Sequence, residues 1–269
     1  MQLKTSFFHK ALCKKSFTRF APVWIAYTVI WFFMLPMQML TYHYPDYPMS
    51  SHVLGSGIGF GSVLIFFYAI VVCMALYSYL YSSKSIYTLA ALPIRRESMF
   101  CTHFITGLLF CVLPNLFVLL CSFVTNAVSG YAVALDLLRW FAMIFLQYLF
   151  FFGFATFCAM LTGHIIALPA LYLVLNFTVV VIELIVRAIL AAFLYGMSGE
   201  SMPVLDKFSP LVHLVLGCNV EEVATTAVGT ANSFQISYSY QFHHWAYLLI
   251  LAAVGTVFAL LAFFLYRKR

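Results

Sequence analysis

Charge is the scarcest property of this sequence. Asp, Glu, Lys and Arg make up 8% of its 269 residues, against 64% hydrophobic. A soluble domain carries about 25% charged residues, because its surface must face water. So little charge excludes a soluble globular domain and leaves lipid as the solvent for much of the surface. Acid is scarcer still, with 8 Asp and Glu against 14 Lys and Arg. The resulting charge of +6 does not indicate nucleic acid, because the basic residues sit in short segments between apolar runs, where they set topology. No CxxC occurs among the seven cysteines, so neither a zinc ribbon nor a redox pair is supported. Cys73, Cys111, Cys121 and Cys158 fall inside apolar runs and read as small membrane residues, as do the other three. No GxxxxGKS or GxxxxGKT is present, so no phosphate-binding loop of that kind exists in the sequence. The first apolar run lacks a small-residue cleavage site, which argues against a cleavable signal peptide.

What is present is length in the apolar runs. A bilayer core takes roughly 20 residues of helix, and runs of that order occur near 22–40, 58–80, 104–126, 138–161, 167–190 and 245–266. These predict an all-α integral membrane protein of six transmembrane helices, a single domain over 1–269. An even number of spans puts both termini on one side. The first 21 residues carry Lys4, Lys10, Lys14, Lys15 and Arg19 with no acid, the segment after the second run carries Lys84, Arg95 and Arg96, and the chain ends Arg267-Lys268-Arg269. The other side offers Asp46 in 41–57, and Glu200, Asp206, Glu221 and Glu222 against Lys207 in 191–244. Basic loops stay inside, so the expected location is the cell membrane, multi-pass, with cytoplasmic termini.

Between 10 and 20, at 100° per residue, Lys10, Lys14, Lys15 and Arg19 share one arc and Leu12, Cys13, Phe17 and Phe20 the opposite one. That segregation predicts a helix lying on the inner membrane surface, with the four basic residues toward headgroups. Gly55, Gly57, Gly59 and Gly61 open the second span, where small residues let helices approach closely. The longest exterior segment contains Pro210–Gly217 (PLVHLVLG), apolar but too short to span. A re-entrant or interfacial element is therefore expected within 188–220.

Several constellations invite chemistry. Glu183 and Arg187 stand at i, i+4 in the fifth span in the favourable order, and read as an interfacial ion pair of structural role. Gly196-Met197-Ser198-Gly199 is similar to the GxSG of intramembrane serine proteases, with His243 and His244 before span six. The serine follows a long helix where such a site needs it at a helix start within the bilayer, so no catalytic residue is assigned and no enzyme is expected. Glu221-Glu222 lacks the arginine of the EExxxR membrane proteases, holding Thr226 at that position. His103 and His164 lack the neighbours of a metal or haem site. The most ordered stretch is Leu92-Pro93-Ile94-Arg95-Arg96-Glu97-Ser98-Met99-Phe100, followed by Gly107. Pro93 suits a first helical turn and Glu97 lies near its positive end, predicting a short cytoplasmic helix between spans two and three.

Here the sequence resembles the permeases of ABC-2 type exporters, in particular the bacterial antibiotic- and acetoin-related group. Leu92, Pro93, Arg95, Arg96, Glu97, Phe100 and Gly107 match that group's pattern, as do Phe7-Phe8, Lys10, Arg19-Phe20 and Ser209-Pro210. The resemblance implies a permease subunit of an ATP-driven exporter. Residues 92–97, Met99 and Phe100 would form a coupling helix, docked on a separate ATPase subunit that holds ATP and Mg. A second permease, identical or similar, would complete the path, and this chain would carry no cofactor. Relatives often continue past span six, whereas this chain stops at Arg269. The competing expectations are an intramembrane enzyme and a non-transporting assembly or sensor subunit.

Overall fold

A computed structural model describes residues 8–41, 49–81, 96–193, 208–230 and 233–268. Its helices are α1 (Lys10–Arg19), α2 (Ala21–Met34), α3 (Pro36–Thr41), α4 (Met49–Tyr77), α5 (Arg96–Ser129), α6 (Ala134–Leu161), α7 (Ala167–Phe193) and α8 (Trp245–Lys268). Six helical stretches are long and apolar enough to cross a membrane: Ala21–Thr41, Met49–Tyr81, Arg96–Ser129, Ala134–Leu161, Ala167–Phe193 and Trp245–Lys268. The chain is a six-span helical membrane protein. Two spans begin earlier than their apolar runs. Met49 replaces 58 and Arg96 replaces 104, because residues such as His52, Ser56 and His103 continue the helix without being strongly apolar.

One departure from an all-α chain stands out. Strands β1 (Val220–Thr230) and β2 (Ser233–Phe242) form an antiparallel hairpin with Val220 opposite Phe242 and a register shift at Ala224/Thr226. The alternation Phe234, Ile236, Tyr238, Tyr240, Phe242 is the period-2 signal that predicts it.

The core is aromatic. Trp31 meets Trp140 edge-on at 4.8 Å, Tyr27 stacks on Tyr68 at 3.9 Å, and Phe66 meets Phe151 edge-on at 5.4 Å. Trp31, Trp140, Tyr148, Phe151 and Phe152 are fully buried. Such rings supply much of the packing that holds helices together in lipid, where water expulsion between spans gives little. Tyrosines also tie helix to helix through backbone carbonyls. Tyr68 donates to the carbonyl of Phe110 (2.8 Å), Tyr148 to Gly107 (2.8 Å), Tyr172 to Phe66 (3.2 Å) and Tyr81 to Ala159 (3.0 Å). The first has a specific cause. Pro114 lies inside α5 and has no N–H to bond the carbonyl four residues back, which is that of Phe110. The Tyr68 hydroxyl takes that place.

Close approach depends on glycines, but not on all of them. A Cβ at Gly57 would stand 3.0 Å from Trp140, and one at Gly61 3.0 Å from Ile144 and 3.2 Å from Trp31, whereas Gly55 and Gly59 face open space. The i, i+4 pair alone seats α4 against α6. Tighter still is the crossing of α6 and α8, where a Cβ at Gly153 would lie 2.2 Å from the Gly255 carbonyl oxygen. Several polar side chains inside the bundle are paired across helices. The Gln147 amide donates to the Gly57 carbonyl (3.1 Å) and its oxygen faces the Ser62 hydroxyl (2.9 Å). Asn115 joins Tyr27 (3.3 Å) and the Cys111 carbonyl (2.9 Å).

Candidate functional site

The chain's described ends meet at one pole of the bundle. The His9 N–H donates to the Thr102 hydroxyl at 3.2 Å, which lays α1 beside the start of α5. Phe17 meets Phe110 edge-on at 4.7 Å, and Trp24 donates its indole N–H to the Phe17 carbonyl at 3.2 Å. Arg267, near the end of α8, pairs with Glu97 at 3.1 Å. The turn Ser78–Tyr81 reaches the end of α6 through Tyr81 and Thr162 at 3.0 Å.

This pole is basic. Lys10, Lys14, Lys15 and Arg19 are exposed while Cys13 and Ser16 are buried, so α1 has the two faces expected from its sequence. Arg96, Arg267 and Lys268 are exposed beside them. The opposite pole carries Asp136, which is paired with Arg139 at 2.9 Å and hydrogen-bonded by Ser50. Glu221 and Glu222 lie at the start of the hairpin.

The residues expected to form a coupling helix divide. Leu92, Pro93, Ile94 and Arg95 lie outside the described residues. Arg96, Glu97, Met99 and Phe100 are not part of a short separate helix: they form the start of α5, which runs unbroken to Ser129. No Pro or Gly interrupts 96–106 to end a helix there. Phe100 cannot anchor a docking partner from this position, since it is buried against Tyr77, Phe263 and Tyr266. Met99 is half-buried and Arg96 exposed.

Glu183 and Arg187 are paired as the spacing predicts, at 2.5 Å. Their helix runs on to Phe193, ten residues past Glu183 and six past Arg187, so the two lie about 15 and about 9 Å inside that end of α7. Beyond Asn176 no residue of α7 is fully buried, and Ile182, Leu184, Ile185 and Ile189 are exposed. In the pair, 12% of the Glu183 side chain and 25% of the Arg187 side chain are exposed. The Arg187 Nε has no hydrogen-bond partner among the described residues. Removing one partner would strand a charge, while removing both would not. Glu183→Gln should therefore lower stability by about 1–3 kcal/mol, and Glu183→Gln with Arg187→Met should recover most of it. Thermal unfolding of the single and double variants in one detergent checks this.

The chain returning to the bundle meets α7 well back along its length. Ser209 donates to the Asn176 carbonyl at 2.9 Å, seventeen residues before Phe193, or about 25 Å along the helix. A short helical segment follows, Pro210–Val212 widening through His213–Gly217, with Leu211 and Leu214 buried and packed on α4. This occupies the place expected of the re-entrant element. Ser198 and its GxSG lie outside the described residues. His243 stands 3.8 Å from Glu221, and His244 lies beside Phe242 and His213.

His103, read from the sequence only as a histidine without metal or haem neighbours, is buried. Its ring stacks on Tyr79 at 5.0 Å, and neither ring nitrogen has a hydrogen-bond partner among the described residues. The sequence matches no known family model and no curated protein.

Proposed function

We propose that the chain is the membrane half of an ATP-driven exporter, completed by a second such bundle and powered by a separate P-loop ATPase seated at the basic pole. The observation that carries this reading is the gathering of exposed Lys10, Lys14, Lys15, Arg19, Arg96, Arg267 and Lys268 at one pole. The segment that resembles an ABC-2 coupling helix joins the bundle at that pole, ending where α5 begins. Positive segments remain on the cytoplasmic side, which is where a nucleotide-consuming partner finds ATP and Mg.

The path is assigned between two bundles rather than through one. The interior of this bundle is filled by fully buried rings, including Trp31, Trp140, Phe151 and Phe152. Among the described residues, none of α7 beyond Asn176 is fully buried, and this half of the helix carries an ion pair, the kind of intramembrane group that marks a functional face. ATP binding would draw two ATPases together and reorient the bundles as rigid bodies. The hairpin and the segment 208–217 would face the cargo on the exterior side.

Orientation is the first test. Single cysteines at Glu221 and Arg96 are introduced into a background without reactive native thiols. An impermeant maleimide on whole cells should label position 221, and label position 96 only after permeabilisation. External labelling at 96 would overturn the orientation and the exporter reading with it.

A further inference from the structure

We propose that α1 is an anionic-lipid site, where Lys10, Lys14, Lys15 and Arg19 hold the phosphates of negatively charged lipids in the leaflet at the basic pole. The inference stands apart from the exporter reading, and its test needs no ATPase. Its first support is the course of α1. The His9 N–H bonds to the Thr102 hydroxyl, and the Phe17 ring meets that of Phe110. Contacts eight residues apart on α1 thus fall eight residues apart on α5. Helix α1 descends beside α5 over about 12 Å and does not lie flat across the pole. Its depth follows from α5, whose 34 residues extend about 51 Å against a bilayer core of about 30 Å. With α5 centred, about 10 Å of it projects at each end. Thr102, about 9 Å from the start of α5, then stands near the edge of the core. Lys14 and Lys15, between the two contacts, sit just below that edge. Side chains on a helix lean toward its N-terminus, which here is the end nearer the water. Their long stems therefore bring the charges of Lys14, Lys15 and Arg19 back to the phosphate layer.

The apolar side of α1 is committed to the protein. Cys13 is buried, and Phe17 and Phe20 pack against the aromatic core. An amphipathic helix that sinks its apolar face into lipid gains from any bilayer through the area it buries. Helix α1 keeps that face on the bundle and offers the membrane four exposed cations, so its hold on lipid is electrostatic. No carboxylate competes for them. The first acid of the sequence is Asp46, and none of the four has an acidic partner among the described residues. Glu97, the acid of this pole among the described residues, is taken by Arg267. Arg96, Arg267 and Lys268 stand at helix ends, away from this flank. Four cations fixed beside a spanning helix require anions, and at that depth the anions are lipid phosphates.

The test uses the full purified chain in dodecyl maltoside micelles. Fluorescence anisotropy follows the binding of phosphatidylglycerol labelled on its acyl chain, beside phosphatidylcholine labelled in the same way. One cation at an anionic lipid surface is worth about a fivefold change in affinity. The wild type should therefore prefer phosphatidylglycerol by at least about fivefold. It should lose that preference at about 1 M salt, where screening acts within about 3 Å. Lys10→Gln, Lys14→Gln, Lys15→Gln and Arg19→Gln together should bind the two lipids equally, with elution volume and helicity unchanged. Arg96→Gln with Lys268→Gln removes two charges from helix ends of the same pole and should keep the preference. Equal binding of the two lipids by the wild type would overturn the site. So would a preference that survives high salt or the fourfold substitution, or one that the Arg96→Gln, Lys268→Gln variant loses. Displacement of phosphatidylglycerol by an equal concentration of soluble glycerol 3-phosphate would show a site for free anions and overturn it too. The salt and competitor arms use the wild type alone, so they decide even where the fourfold variant does not fold.

Discussion

Gly153→Val should prevent the folded bundle from accumulating. Even a single Cβ at Gly153 would stand 2.2 Å from the Gly255 carbonyl oxygen, and one at Gly255 would stand 2.4 Å from the Phe150 Cα. Both obstacles are backbone, so no rotamer change relieves them. The two helices must separate, and Phe154 and Phe258, whose rings meet at 5.0 Å across the same seam, would part with them. Overpacking costs about 1–3 kcal/mol when side chains can adjust, and here only helices can, so the effect belongs at or above the top of that range. That is a large share of the roughly 5–15 kcal/mol holding a typical protein. The control is Gly59→Val, since a Cβ at Gly59 meets nothing within 4 Å. Yield of monodisperse protein and thermal midpoint are the readouts. Gly59→Val should resemble the wild type and Gly153→Val should fall out of solution or melt far lower. Equal behaviour of the two would contradict the crossing of α6 and α8.

The second large effect concerns association rather than folding. Arg95→Glu with Arg96→Glu should cut recovery of the ATPase with the tagged chain by at least about tenfold, a change of about 1.4 kcal/mol in binding. Arg96 is exposed at the first position of α5, so its reversal leaves the apolar interior untouched. Like charges placed across an interface cost more than the loss of the attraction they replace. Phe100 lies inside the bundle, so on the proposed reading the apolar anchors left from the sequence expectation would be Leu92, Ile94 and Met99. Circular dichroism and elution volume should be unchanged in the double variant. A variant that retains full ATPase recovery would reduce the stretch to a loop that only sets topology.

Much of this architecture is legible in the residues, for reasons that differ from element to element. Spans are legible because lipid demands a length of apolar helix, and no competing structure meets that demand. The two faces of α1 are legible because four basic residues fall on one arc and its buried Cys13 on the other. Helix ends are less so: His52 and His103 lower the apolar signal without ending the helix. The hairpin is marked only by the alternation of Phe234, Ile236, Tyr238, Tyr240 and Phe242, a period-2 signal that lies outside the long apolar runs of the spans. The candidate pole was legible as charge but not as contact. That Tyr266 meets Tyr79, or Arg267 meets Glu97, depends on which helices cross, and residues 187 and 170 positions apart carry no local mark of it. The bond from Tyr68 to Phe110 is half legible: Pro114 announces a carbonyl in want of a donor, while the donor lies 42 residues from that carbonyl.

On the proposed reading, the chain works only together with a separate ATPase. The most direct measurement is to purify the tagged chain from its native membranes, sequence what comes with it, and assay ATP hydrolysis in the presence and absence of vanadate. The account predicts a stoichiometric P-loop protein and vanadate-sensitive hydrolysis that disappears when that protein is removed. A chain that emerges from native membranes without any P-loop partner would contradict it.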